Sequence, residues 1–332
     1  MIRRVVMGLA LLLILCCSTR ISGRAGSASR PEIDYMPTRA QSEADHKEGA
    51  ASTASQAAAV LRVLYHGGRV EVAPKAYLVV YGSQWKNNDP DKEVVTLVQF
   101  LSGLEGPTDR WSNTLTQYCQ GAPAGAHSCG PRTTKIVHPT VSPLFPNVFF
   151  DDATPAPAVP SDSDFEAETR RAAEHFGNKT STLNLNKIYI IATAKGYNAD
   201  GLGSDFCAWH SYAPSRFGNL AFVNLPYVSQ AGSNCGSGFV NKPGRDDGIT
   251  MVAGHEFAEA ATDPFPGGWF DNSSDENEIA DKCSWLIPGL PGGAANVTFP
   301  TGTFPVQSLW SNNFGTAGGC VISYTSAAKQ QG

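Results

Sequence analysis

The stretch from Asp246 to Pro264, DDGITMVAGHEFAEAATDP, constrains the chain more than any other. Asp246 and Asp247 offer capping carboxylates at its start. Asp263-Pro264 ends it, because a proline disfavours helical geometry in the residue before it. Ile249, Val252, Ala253, Phe257 and Ala260 recur between these limits at helical spacing, so the pattern predicts a helix over 247–262. Positions i and i+4 share a helix face. His255 and Glu259 therefore point the same way, one turn apart, with Glu256 next round the helix. The apolar residues put this polar stripe at the edge of the buried surface, where the helix would wall a cleft.

An imidazole and a carboxylate at that spacing form a metal-ligand pattern. Glu256, directly after the first ligand, is placed to take a proton from metal-bound water. A third ligand is needed, and DENEIADKCSW, residues 275–285, offers Glu278 and Asp281. These lie three apart, on one face of a helical turn. The expected shell is His255, Glu259 and Glu278, with Asp281 either a ligand or the acceptor for the His255 ring N–H. Zinc is the expected ion. Two carboxylates beside one imidazole also admit Mn²⁺, Fe²⁺ or Ca²⁺, and the added negative charge leaves bound water less acidic. The competing reading is a surface His–Glu pair, worth a few tenths of a kcal/mol.

Other candidates are weaker. CAWHSY, residues 207–212, reads as a loop that places His210 or Tyr212 as an oxyanion or substrate contact, or as an extra ligand. Aromatic packing is the competing account. His66, before paired glycines in LYHGGRV, reads as a turn residue. GLGSD near Gly201 lacks the strand–helix setting of a phosphate loop, and no G-x-S-x-G elbow occurs.

The N-terminus bears on location. Arg3 and Arg4 precede an apolar run from Val5 to Leu15, followed by small and polar residues. This is the layout of a secretory signal, assigned to residues 1–25, and the run is too short to span a bilayer comfortably. No membrane span is expected after its removal. Residues 26–58 are Ser-, Ala-, Gly- and charge-rich, and read as a disordered leader or pro-segment. Residues 59–332 read as one globular domain, with a lobe boundary considered at the Pro-rich stretch 151–164. Six cysteines follow the signal, and an even count in an exported chain points to disulfides. Order along the chain favours Cys119–Cys129, Cys207–Cys235 and Cys283–Cys320. Asn178, Asn272 and Asn296 begin glycosylation sequons. A net charge of −5 and no dense Lys/Arg run exclude a general nucleic-acid binder.

The remaining patterns mix strands and helices. KAYLVVYGSQW (75–85), KIYIIATAKG (187–196) and LAFVNLPYV (220–228) read as strands. The second is near-continuously apolar and so central. Pro226 pushes the third towards a sheet edge. Asp89 caps and Pro90 opens a helix carrying Val94, Leu97, Val98 and Leu101; SDFEAETRRAAEHFG is a second helix. The expected fold is α/β (α+β), a mixed sheet packed on the helix at 247–262.

LYHGGRV, KAYLVVYGSQW, DFCAWHSY, CGSG and the late block DDGITMVAGHEFAEAATDPFPGGWFD…NEIADKC together resemble the secreted Exordium / phosphate-induced protein family, in its microbial branch. The matching islands run from about Leu64 to Cys320, and the late block is the specific one. The resemblance implies an extracellular protein, with a cell-wall association as in the plant members. The late block is also similar to gluzincin peptidases, in which a Glu after the helix is the third ligand. Asn277-Glu278 with Asp281 is one residue shorter than that pattern, Glu259 stands where the second His belongs, and Phe265 rules out the metzincin spacing. This likeness implies a zincin-like fold and a metal-dependent hydrolase of peptides or proteins, with cell-wall material as another target.

Overall fold

The structure, a computed structural model, describes residues 33–44, 62–104, 109–138, 147–273 and 277–325. The signal segment and the rest of the leader, 26–32 and 45–58, lie outside the described residues. The chain from Pro31 to Gly332 clusters as one compact unit, and 151–164 simply joins a strand to a helix inside it.

The strands in chain order are β1 (Asp34–Met36), β2 (Leu64–Tyr65), β3 (Lys75–Tyr81), β4 (Cys119–Gln120), β5 (Thr134–Lys135), β6 (Val148–Asp151), β7 (Lys187–Thr193), β8 (Ala208–Ser215) and β9 (Gly218–Leu225). Five short ones follow: β10 (Trp269–Phe270), β11 (Ala295–Phe299), β12 (Gly302–Val306), β13 (Leu309–Ser311) and β14 (Gly319–Val321). Helical residues 39–44 form α1; α2 is Glu93–Gly103, α3 Asp162–His175 and α4 Asp247–Thr262. One six-stranded sheet has the order β1-β8-β9-β7-β3-β6. Its β9-β7-β3-β6 half is parallel, while β8 and β1 are antiparallel additions. The fold is thus α+β with a mixed sheet, as the patterns predict, and β7 is central.

Side chains alternate across the sheet with period two. Leu78, Val80, Ile188, Ile190, Ala208 and Val223 face α2 and α4. Tyr77, Val79, Tyr189, Ile191, Trp209 and Phe222 face Phe165, Ala172 and Ala173 of α3. By the same alternation, His210 shares a face with Ala208, towards α4.

Several local expectations change. Residues 33–44 of the expected disordered leader are built in: β1 pairs with β8, and Met36 is fully buried. CAWHSY is not a loop. It opens β8, which turns at Arg216-Phe217 into β9. Strand β9 ends at Leu225, before Pro226, yet lies inside the sheet because β8 pairs along its other side. Asp89 caps α2, accepting the Glu93 and Val94 amides at 2.8 and 3.2 Å, but Pro90 precedes the helix rather than opening it. Asp247 does not cap α4. Its carboxylate instead holds the Val240 and Asn241 amides of the preceding loop.

The largest correction concerns α4, every residue of which is buried. The sheet, α2 and β12 all pack against it. Small residues allow this. A Cβ on Gly248 would lie 1.9 Å from the Cys235 carbonyl oxygen, and one on Gly254 would lie 2.9 Å from the Trp111 ring. The His/Glu stripe consequently faces protein, not a solvent edge.

Among the described residues the disulfides are Cys119–Cys129, Cys207–Cys235 and Cys283–Cys320, the pairs that chain order favours. Among the described residues no helix is long and apolar enough to cross a membrane.

Candidate metal centre

Three pieces of chain meet at α4. The helix supplies His255, Glu256 and Glu259. Strand β8 supplies His210, and the segment 277–283 supplies Glu278 and Asp281. That segment is held firmly. The Ala280 and Asp281 amides donate to Glu259 Oε1 at 3.1 and 2.9 Å. Gln307 Nε2 donates to the Ala280 carbonyl at 2.8 Å, and the Trp310 amide to the Ile279 carbonyl at 2.7 Å. The Cys283–Cys320 bridge and a Lys282–Asp271 ion pair complete the clamp.

The hydrogen-bond partners fix the ring tautomers. Gln307 spends its NH₂ group on Ala280, so its Oε1 is an acceptor. That oxygen lies 3.2 Å from His255 Nδ1, which must therefore donate. In the neutral ring, Nε2 is then a lone pair. It faces Glu259 Oε2 at 2.9 Å and Asp281 Oδ1 at 3.3 Å. Likewise His210 Nε2 lies 3.2 Å from the Asp263 carbonyl oxygen, which can only accept. His210 Nδ1 is left facing Glu256 Oε2 at 3.3 Å and Glu259 Oε2 at 4.0 Å. The Nε2 side of His210 also borders Glu278 Oε1 at 3.5 Å and Asp34 Oδ2 at 3.8 Å.

These approaches are close but do not have hydrogen-bond geometry. His210 Nδ1, His255 Nε2, both Glu256 oxygens, Glu278 Oε2 and Asp281 Oδ1 are buried without a hydrogen-bond partner. Burying such groups unpaired costs several kcal/mol each unless a cation binds them. Ligands roughly 2.1 Å from one ion sit about 3.0 Å apart at right angles and about 3.4 Å apart in a tetrahedron. The His255–Glu259 and His255–Asp281 separations match that range.

Without an ion, protons take the place that a cation would fill. Burial pushes the Glu256 and Glu278 carboxyls up and takes Glu259 to about 7, with Asp281 adding to the Glu259 shift and Glu259 to that of Glu278. Burial pushes both imidazoles down, but the carboxylates outweigh it. Glu256 and Asp34 take His210 to about 10, and Glu259 and Asp281 hold His255 well above its ordinary range. The cluster is short of positive charge. Among the described residues, the ion-pair partners of Glu256, Glu259, Glu278 and Asp281 are the two imidazoles alone.

The sequence-predicted shell is regrouped. Ligand atoms within 4.8 Å of one another form three sets: His255, Glu259 and Asp281; His210, Glu256 and Glu259; and Asp34, His210 and Glu278. Glu278 therefore stands beside His210, and Asp281 takes the place expected for Glu278 beside His255. The two acidic residues face different imidazoles, even though the Lys282 amide bonds back to the Glu278 carbonyl at 3.3 Å. Tyr212 lies two residues beyond His210 on β8 and packs its ring on Phe265 at 5.4 Å. Sequence reasoning missed Asp34 and Gln307, which have no motif spacing to the others. It also undervalued His210, whose alternation with Ala208 would have turned it towards α4.

Elsewhere, Ser112 donates to the Asp109 carboxylate and His138 Nε2 bonds the Asp109 carbonyl at 2.8 Å. His138 Nε2 also lies 3.5 Å from the Ser112 hydroxyl, but the carbonyl it bonds can only accept, so that nitrogen is a donor and not the base of a nucleophile triad. His66 stacks on Phe270 at 3.6 Å. Compared with known proteins, the chain matches no family model, no curated protein and no solved structure.

Proposed function

We propose that the chain is an extracellular, metal-dependent hydrolase acting on peptides or proteins, with His255, Glu259 and Asp281 holding the ion. One observation carries the reading: His255 Nε2 is buried without a hydrogen-bond partner and faces two carboxylate oxygens at ligand–ligand distances, with its other nitrogen fixed as a donor by Gln307. An imidazole whose second N–H is held by a buried partner is the usual form of a metal-bound histidine. Zinc suits one imidazole and two carboxylates, and Mn²⁺ is the next choice.

A divalent ion there supplies a polarised water and an electrophile for a carbonyl oxygen. The rest falls to the chain's own groups. Glu256 is adjacent, with both carboxylate oxygens free of hydrogen bonds, and accepts the proton. His210, anchored on the Asp263 carbonyl, presents Nδ1 3.3 Å from that carboxylate. Three disulfides support an oxidising location.

A second reading is favoured by the enclosure of the site. Glu256 is 0% exposed, and β1 flanks His210 on the outer side. A cation sealed in this way would brace a non-catalytic extracellular or cell-wall protein, or a binding module. Metal analysis with peptide hydrolysis, for wild type and Glu256→Gln, separates the two. Bound zinc with hydrolysis lost in the variant supports the hydrolase. Bound zinc without Glu256-dependent hydrolysis leaves the structural role, and no bound metal removes both.

A further inference from the structure

The His255 position does not use all the ligand atoms that converge on α4. Beside it, His210 Nδ1, Glu256 Oε2 and Glu259 Oε2 form a second set. His210 Nδ1 is aimed into this set with no hydrogen-bond partner, as are both Glu256 oxygens, and both side chains are at most 1% exposed. No set of mutually close ligand atoms among the described residues contains both imidazoles, so one ion would not take the two of them. Glu259 belongs to both sets. Its Oε1 is pinned by the Ala280 and Asp281 amides, while its Oε2 lies 2.9 Å from His255 Nε2 and 4.0 Å from His210 Nδ1.

We propose that the fold holds a second divalent cation, bound by His210 Nδ1, Glu256 and Glu259, with Glu259 bridging it to the ion at His255. The inference rests on the reading of His255, Glu259 and Asp281 as the first site. The cluster is rich in acid: Glu256, Glu259, Glu278 and Asp281 have no cationic partner among the described residues but the two imidazoles, and Asp34 adds a further carboxylate beside His210. Nitrogen and carboxylate donors suit Zn²⁺ and Mn²⁺. Carboxylate-bridged pairs of such ions sit about 3.5–4 Å apart. Occupancy of the second position also has a consequence for the chemistry. It engages the Glu256 carboxylate, which can then no longer accept a proton, so the second equivalent of cation suppresses the hydrolysis that the first one supports.

Metal-free protein is titrated calorimetrically with Zn²⁺, as wild type, His210→Gln and His255→Gln. Two ions per wild-type chain, with one lost in His210→Gln or bound at least tenfold more weakly, is the expected result. One ion per wild-type chain, unaffected by His210→Gln but lost in His255→Gln, overturns the second site and leaves the first. No binding in wild type overturns both. Electron paramagnetic resonance with Mn²⁺ needs no variant. The second equivalent should replace an isolated six-line spectrum with an exchange-coupled one, and two uncoupled ions would overturn the shared Glu259.

Discussion

Gln307 and His255 meet at 3.2 Å through Oε1 and Nδ1, and this contact makes Nδ1 a donor and turns Nε2 towards Glu259 and Asp281. Gln307 can play that part because its amide nitrogen is already committed to the Ala280 carbonyl on the segment that carries Asp281. One side chain therefore orients the imidazole and holds the segment bearing its neighbouring carboxylate.

Replacing Gln307 with Leu should weaken Zn²⁺ binding by about 10–100-fold, the usual effect of losing an outer hydrogen-bond partner of a ligating histidine. Competition against a chelator of known affinity measures it. Unchanged affinity would mean that His255 takes its orientation from elsewhere.

The Cys283–Cys320 bridge, 37 residues apart in sequence, should matter to metal as well as to folding, because it clamps the segment of Glu278 and Asp281. Replacing both cysteines with serine should cost about 4 kcal/mol by loop entropy and lower Zn²⁺ affinity. Removing Cys119–Cys129, a separation of 10, should cost about 3 kcal/mol and leave affinity unchanged. Denaturant unfolding and metal titration of the two double variants distinguish these effects. Equal affinities would contradict the clamp.

Much of this arrangement can be read in the sequence, and the exceptions have physical causes. The β3, β7 and β9 strands announce themselves because buried parallel strands are continuously apolar. The His255–Glu259 pair is a consequence of helical period alone. The cysteine pairs follow chain order because each bridge joins neighbouring cysteines. The closure of α4 was not read, although its glycines and alanines permit it, because small residues do not say what will pack on them. The regrouping of Glu278 with His210 depends on where the 277–283 segment turns. That turn is set by long-range bonds to Glu259, Gln307 and Trp310, which no local spacing encodes.

Stability should fall as pH rises from about 4.5 towards 8. Burial raises Glu71 to about 7 and Glu93 and Glu168 to about 8, from an ordinary 4.5. Each carboxyl holds its proton more tightly folded than unfolded. The folded state therefore binds more protons inside the window, and rising pH disfavours it. Glu93 lies under the Val228 and Ser229 amides, so Glu93→Gln keeps an acceptor there while removing the titration. Its unfolding free energy, measured across that range, should vary less with pH than that of wild type. An identical slope would contradict the assignment.

The three sequons should differ in use when the chain passes through a eukaryotic secretory pathway. Asn178 is buried and its amide nitrogen donates to the Tyr189 hydroxyl at 2.8 Å, so a glycan there is incompatible with the fold. Asn272 and Asn296 are exposed. Glycopeptide mass analysis should find sugar at Asn272 or Asn296 and none at Asn178. Occupied Asn178 in folded protein would contradict the packing of β7.

The central claim is that a cation belongs between His255, Glu259 and Asp281. Crystals grown with Zn²⁺ and measured at the zinc absorption edge test it most directly. The account predicts an anomalous peak about 2.0–2.2 Å from His255 Nε2, Glu259 Oε2 and Asp281 Oδ1. An ordered cluster with no peak there, and His255 hydrogen-bonded to a carboxylate instead, would contradict it.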